Sequence, residues 1–177
     1  MATADFDAIL TAVREVLEDA TGTLRTIGAA VYQGNLNASL SDEEMTLRAL
    51  NKPLVESRIG AISRNDASPN IFGSLSLLDI EVVVRVVRHL DQAHELDDDI
   101  RDDVKALSAA DGDVIMQALT FPGNLTQTSG SAATGLVSGM LSYEGSDPPD
   151  TQQEATGSII TTEHNFSGVV QVTLAVS

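Results

Sequence analysis

The chain has 177 residues and contains no cysteine, which fits a single domain and excludes disulfides and thiolate-bound metals. Its 10 basic and 26 acidic residues give a formal charge of −16, and the bases are scattered along the chain. Sequence-specific binding to nucleic acid and binding to anionic lipid are therefore disfavoured. Such acidity is typical of a GC-rich genome, of a halophilic setting, or of both.

Targeting and membrane segments are not expected. No run of residues approaches the ~20 apolar residues of a membrane span. The N-terminal segment Met1–Asp5 lacks the basic region that opens a signal peptide. We therefore expect no membrane partner, and a protein that is made in the cytoplasm and is used there or in a particle assembled there.

The first predicted element is an amphipathic helix over residues 5–20. Thr3 or Asp5 can cap its start, and Gly22 can end it. Its apolar residues recur at intervals of three and four, as a helix with one buried face requires: Phe6, Ile9, Leu10, Val13, Val16 and Leu17.

Shorter elements follow this helix. Residues 23–32 have the pattern of a short strand, and residues 33–52 are predicted to form an extended loop. Within that loop, Ser41–Glu44 matches a capping box that can start a short helix. Leu54–Ile62 is predicted to be a second strand, and residues 63–76 a loop.

The sequence centres on Asp79–Leu90, which holds five valines and one isoleucine. The even positions from Leu78 to Val86 are all apolar, whereas the odd positions are mixed, which is the pattern of a half-buried strand. A helix is the alternative, because Glu81 and Arg85 are spaced four apart. Since β-branched residues crowd a helix, we predict the central strand of a sheet here.

The second half of the chain is predicted to hold a helical region and three strands. Apolar residues at helical spacing run from residue 97 to residue 119, and Gly112 indicates a break or a kink between helices. The predicted elements after it are a strand over 134–144, a mobile loop over 145–157, and strands over 158–164 and 169–176 joined in a hairpin by Asn165–Gly168.

These elements together predict an α+β fold in one domain over residues 1–177. Short turns between successive strands favour antiparallel pairing, so we expect a mostly antiparallel sheet. The N-terminal helix and a central helix, or helix pair, are expected to pack on one face of it. The predicted sheet core comes from the two strands with an unbroken apolar face: Ile80, Val82, Val84, Val86, Val170, Val172 and Leu174.

The sequence carries no catalytic signature. The acidic run Asp97–Asp99 lacks EF-hand spacing, and acids in the first turns of a helix stabilise its positive end, so a structural role is favoured. The nucleophile elbow, the P-loop and the dinucleotide fingerprint are absent. We expect no enzyme, no cofactor and no bound metal. The three histidines lack the spacing of metal ligands and are expected at the surface or at strand ends: His89, His94 and His164.

The order of segments covers nearly the whole chain. The segments are a helix ending in Thr21–Gly22, then Leu24–Ile27, Pro53–Glu56, the strand Ile80–Arg88, the helix Asp97–Leu119, Phe121–Leu125, Leu136–Tyr143 and the terminal hairpin. In this order the chain resembles the tail-terminator (tail-completion, or minor tail) proteins of long-tailed bacterial and archaeal viruses. The resemblance implies a virion protein that forms a homo-oligomeric ring of six subunits at the head-proximal end of the tail. It also implies two partners, the tail tube protein and the head–tail connector or stopper protein.

In a closed ring each subunit docks one surface on a different surface of its neighbour. The interface is expected to set isolated arginines against acidic runs, from this set: Arg25, Tyr32, Asp42, Glu43, Glu44, Arg48, Arg58, Asp97, Asp98 and Asp99. The alternative is that these arginines neutralise their own chain. The long loops and strong acidity also leave open another neck or tail-tube protein, or a small-molecule-binding or enzymatic domain.

Overall fold

A computed structural model describes residues 6–18, 30–33, 54–65, 75–91, 109, 111–121, 125, 135–137, 139–154 and 157–173. Within these residues the fold is α+β, as the sequence predicts. The elements in chain order are α1 (Phe6–Glu18), β1 (Ala30–Gln33), β2 (Leu54–Arg64), β3 (Leu75–Asp91), α2 (residues 111–120), β4 (Ser142–Ser146), β5 (Asp150–Glu154) and β6 (Gly157–Thr173).

The six described strands form one sheet in the order β1-β2-β3-β6-β4, and β5 also pairs with β6. Every pairing is antiparallel except that of β1 with β2. The prediction of a central strand is confirmed: β3 lies between β2 and β6, and it pairs with β6 along its whole length, from Leu75 opposite Thr173 to Asp91 opposite Gly157. The helical alternative for this segment is wrong.

The sheet has a core face, which carries the even-numbered residues of β3 and β6, and an outer face, which carries the odd-numbered ones. On the core face the predicted residues of β3 are confirmed as core, with Val82 and Val84 fully buried. The outer face also buries apolar side chains, among them Val83 and Val87. Burial on both faces explains why valine outnumbers every other residue type in this strand.

Both helices pack on the core face. Ile9, Val13 and Leu17 of α1 and Ile115 and Leu119 of α2 belong to the same buried cluster as the even-numbered residues of β3. Of the two predicted alternatives, a division into two helices at Gly112 is wrong, because residues 111–120 are helical without interruption. Glycine is needed there for another reason: a Cβ at this position would lie 2.6 Å from Cε1 of His164. The residue therefore allows close approach rather than a turn.

The predicted terminal hairpin is also wrong, because Gly157–Thr173 is one continuous strand. Its middle carries Phe166, which is fully buried and stacks at a tilt on Tyr143 with 5.3 Å between ring centroids. Gly168 serves packing here, since a Cβ on it would lie 2.8 Å from Cδ2 of Leu141. Of the predicted core residues in this strand, Val170 is buried and Val172 is half-buried.

The mobile loop predicted for 145–157 contains strand instead. Residues 135–137, β4 and β5 pair one after another along the edge of β6 that faces away from β3. Leu136 and Glu154 are 18 residues apart in sequence, whereas their partners in β6, Val170 and Gly157, are 13 residues apart. The segment that pairs with β6 therefore contains five residues more than the part of β6 that it covers. One of them produces the bulge at Gly145, whose φ of +139° suits glycine.

Several predictions fall outside the described residues. They concern the strand before residue 30, the capping box and the rest of the loop predicted over 33–52 after Gln33, the acidic helix over 97–108, and Leu174. The loop predicted for 63–76 is shortened at both ends, because β2 continues to Arg64 and β3 begins at Leu75.

Candidate functional site

A buried polar cluster lies on the core face where α2 crosses β3 and β6. Asp111 of α2 is 4% exposed and accepts hydrogen bonds at Oδ2 from two nitrogens of Arg88, Nε at 3.0 Å and Nη2. Arg88 is on the core face because it follows Val84 and Val86 at even spacing along β3. The two charges neutralise each other, so Asp111 is held as the partner of a guanidinium and is not free to act as a general base.

His164 of β6 completes this cluster and is 3% exposed. It pairs across the sheet with Val84 on one side and Ser146 on the other, and its ring packs against Gly112 of α2. Among the described residues neither Nδ1 nor Nε2 has a hydrogen-bond partner. The expectation of a surface or strand-end histidine is wrong for His164. The residue lies in the interior of the continuous strand β6, on the core face, and not at the end of a shorter strand.

The electrostatic setting keeps this imidazole neutral. Burial lowers the pKa of His164 below its ordinary value of 6.5, and the carboxylate of Asp111 raises it by less. A neutral imidazole is a competent base or metal ligand. With 3% of its surface exposed and Gly112 against its ring, however, His164 is closed to a substrate in this conformation.

The outer face carries a second charged cluster. Glu56, Arg85 and Glu163 lie opposite one another on β2, β3 and β6 and form one row across the sheet. Nε of Arg85 lies 3.5 Å from Oε2 of Glu56, which is 1% exposed. Arg58 reaches across β3 and donates to both carboxylate oxygens of Glu163, at 3.2 and 3.1 Å. The row therefore alternates in sign, as cross-strand neighbours of opposite charge do when they stabilise a sheet.

No protein-family model matches this chain, and no curated protein is similar to it.

The structure describes two of the residues that the sequence assigns to a subunit interface. Tyr32 lies in β1, at one edge of the described sheet. Arg58 is 40% exposed at its side chain and pairs with Glu163 of its own chain, as the alternative reading of these arginines expects. The other predicted interface residues lie outside the described part of the chain: Arg25, Asp42, Glu43, Glu44, Arg48, Asp97, Asp98 and Asp99.

A further surface was missed by the sequence. The segment from Glu144 to Glu154 carries four acids and no base, and residues 146–153 are all exposed. Two of its carboxylates are held by β6: Glu144 accepts a hydrogen bond from Ser167, and Asp147 accepts one from Asn165 at 3.3 Å. Together they make an acidic edge of the sheet, defined here as residues 144–154.

Metal-binding groups and membrane-spanning helices are both absent from the described residues. Those residues contain no group of three or more His, Asp or Glu side chains placed to hold a metal ion. They also contain no helix that is long and apolar enough to cross a membrane.

Proposed function

We propose that this chain is a structural virion subunit, a tail terminator that forms a closed ring at the head-proximal end of a long viral tail. In this function it caps the tail tube protein and joins it to the head–tail connector. The protein acts by contact between surfaces and performs no chemistry. Its place of action is the neck of the particle, and its assembly takes place in the host cytoplasm.

The observation that carries the proposal is the order of elements. An N-terminal amphipathic helix, a strand opening at Leu54, the long central strand, a helix and the closing strands follow one another as the resemblance implies. The helices pack on one face of the sheet, which leaves the edges of the sheet for contacts with neighbours. There are two departures: a single strand stands in place of the terminal hairpin, and an isolated bridge at Leu136 followed by β4 from Ser142 stands in place of the strand predicted over 134–144.

The charged groups support the same conclusion. In the described residues, Arg88 pairs with Asp111 and Arg58 pairs with Glu163, and both pairs join one element of the fold to another. An enzyme site instead brings titratable groups together at an open pocket. The exposed charge of this sheet is concentrated on the acidic edge, where it can meet a basic surface of a neighbouring subunit.

Light scattering coupled to size exclusion tests the closed ring. Six chains of 18.6 kDa give a particle of about 112 kDa, and negative-stain images should show rings of uniform diameter. If the ring forms only on its tube, the chain should sediment with purified tail tubes and should stop their elongation. A constant mass of 18.6 kDa together with no binding to tubes contradicts the proposal.

The same images separate the proposal from its nearest alternative. A tail-tube protein makes head-to-tail contacts that do not close and therefore polymerises into tubes of variable length. A terminator makes contacts that close within one layer. Growth of the purified chain into long tubes would therefore assign it to the tube and not to the cap.

A further inference from the structure

We propose that His164 is an acid-sensitive contact between α2 and the sheet, such that protonation of its imidazole releases the part of α2 around Gly112. The proposal concerns a conformational property of this fold and does not depend on the ring. It rests on how closely the helix backbone approaches the ring, on the hydrogen-bond partners around the ring nitrogens, and on which neighbouring element is free to move.

At Gly112, α2 packs directly on the ring of His164. A Cβ at Gly112 would come within 2.6 Å of Cε1 and 3.3 Å of Nδ1, so the helix backbone lies directly against the imidazole. The residue is 3% exposed, and Gly112 itself is buried. No hydration shell can form around a charged ring at this interface unless the helix moves away.

The described residues offer no free acceptor to a charged imidazole at this position. An imidazolium carries two N–H donors, and neither nitrogen has a partner among the described residues. Asp111 attracts the cation, but its Oδ2 already accepts two hydrogen bonds from Arg88. The other described charged side chains on the surrounding elements are solvent-exposed, on the outer face or otherwise engaged. They are Asp113 of α2, Asp79, Glu81 and Arg85 of β3, Glu163 of β6, Glu144 of β4, which accepts from Ser167, and Asp147 next to β4, which accepts from Asn165.

The direction of the pH effect follows from the pKa of His164. Because burial lowers that pKa below the unfolded value of 6.5, the open state binds the proton more tightly than the closed state. The closed state is fully favoured above 6.5 and loses stability as the pH falls toward the lowered pKa. Within that window the population of the open state rises as the pH falls, by at most about tenfold per pH unit because one proton is bound.

Of the elements in contact with the ring, α2 is the one that can yield. The backbone of His164 is held on both sides, because it pairs with Val84 of β3 and with Ser146 of β4. The far end of α2 is tied to the chain by a hydrogen bond of 3.0 Å from the Leu141 amide to the Leu119 carbonyl. Near Gly112 the described ion pair that joins α2 to the sheet is Arg88–Asp111. We therefore expect the helix to separate from the sheet around Gly112 and to uncover Ile115.

Amide hydrogen exchange on the intact chain, read residue by residue by NMR between pH 7.5 and 5.5, tests this proposal. After correction for intrinsic exchange rates, amides of residues 112–115 should lose protection progressively below pH 6.5, by up to about tenfold per pH unit. Amides in the paired centres of β3 and β6 should keep theirs. The imidazole signal of His164 should titrate below 6.5 in the same samples.

Two variants complete the test. His164→Leu removes the titrating group but keeps an apolar side chain of similar size, so the exchange of 112–115 should no longer depend on pH over this window. His89→Gln removes a different imidazole, from β3, and should leave the pH dependence as in the parent chain. The proposal fails if His164 titrates at or above 6.5, if His164→Leu retains the pH dependence, or if strands and helix lose protection together. Should His164→Leu not fold, the titration and exchange of the parent chain alone decide.

Discussion

Replacing Gly112 by alanine sets two effects on stability against each other: the gain in helix propensity and the steric cost of the contact with His164. In a helix interior, alanine is favoured over glycine by about 1 kcal/mol, so local propensity alone predicts a more stable protein. The structure predicts the opposite sign. The new methyl would lie 2.6 Å from Cε1 of His164. Because the residue is only 3% exposed, the ring cannot move aside without displacing its neighbours.

The size of the effect follows from these two opposing contributions. Overpacking a well-filled core costs about 1–3 kcal/mol, and the closeness of this contact places Gly112→Ala in the upper half of that range. Subtracting the propensity gain leaves a net loss of about 1–2 kcal/mol. For a chain of this length, that loss lowers the melting temperature by about 2–8 °C. Urea titration and thermal melting followed by circular dichroism measure both values.

A double-mutant cycle and a matched glycine sharpen this test. In a His164→Ala background the obstacle is gone, so Gly112→Ala should become stabilising by about 1 kcal/mol. Gly60→Ala is the control, because its Cβ would lie 2.7 Å from Oε2 of Glu81, the far end of a flexible side chain that can turn away. It should change stability by less than about 0.5 kcal/mol. A stabilised Gly112→Ala in the parent chain would refute the packing of α2 on His164.

Three further predictions follow from burial and charge. Phe166→Ala should cost about 3–5 kcal/mol in urea titrations, because the ring is fully buried in the middle of β6; a cost below about 1 kcal/mol would contradict the single continuous strand. Arg58→Ala should cost less than about 1 kcal/mol, since its pair with Glu163 is 40% and 26% exposed. By contrast, Arg85→Ala should cost roughly 3–5 kcal/mol because it removes the cation beside Glu56, which is 1% exposed; equal costs for the two variants would refute the assigned burial. Finally, the melting temperature should rise from low to molar NaCl, because salt screens the self-repulsion of a chain with charge −16; a flat or falling trend would count against that repulsion.

Sequence periodicity predicted α1 and β3 well, and the reason is that each has one strongly apolar face. In α1 the buried residues Ile9, Val13 and Leu17 recur at helical spacing, and in β3 the even positions are apolar throughout. Such patterns are local, since every residue that defines them lies within one element. The part of the fold that they define could therefore be predicted without knowledge of any partner strand.

The wrong predictions occur where a residue that is typical of turns is instead required for close packing, which only the folded structure shows. Asn165 and Gly168 suggested a hairpin, yet Gly168 is small because Leu141 lies over it, and Phe166 between them is buried. Gly112 suggested a helix break, yet it is small because His164 lies beneath it. Glycine marks both turns and close contacts, and the sequence alone does not distinguish the two uses.

The candidate site was hidden for the same reason. Had β6 been read as one strand, the alternation from Phe166 would have placed His164 on the core face. Its contact with α2 joins residues 52 positions apart, Gly112 and His164, and the Arg88–Asp111 pair joins residues 23 apart. Pairings over such distances depend on how the helix crosses the sheet, which a single sequence does not specify.

A reconstruction by electron microscopy of the virus particle that contains this chain tests the proposed function most directly. The account predicts a closed ring of this α+β subunit between the tail tube and the head connector, with each subunit touching two neighbours through different surfaces. Finding the chain elsewhere in the particle, or finding it absent from purified particles while the isolated chain stays a monomer of 18.6 kDa, would contradict the account.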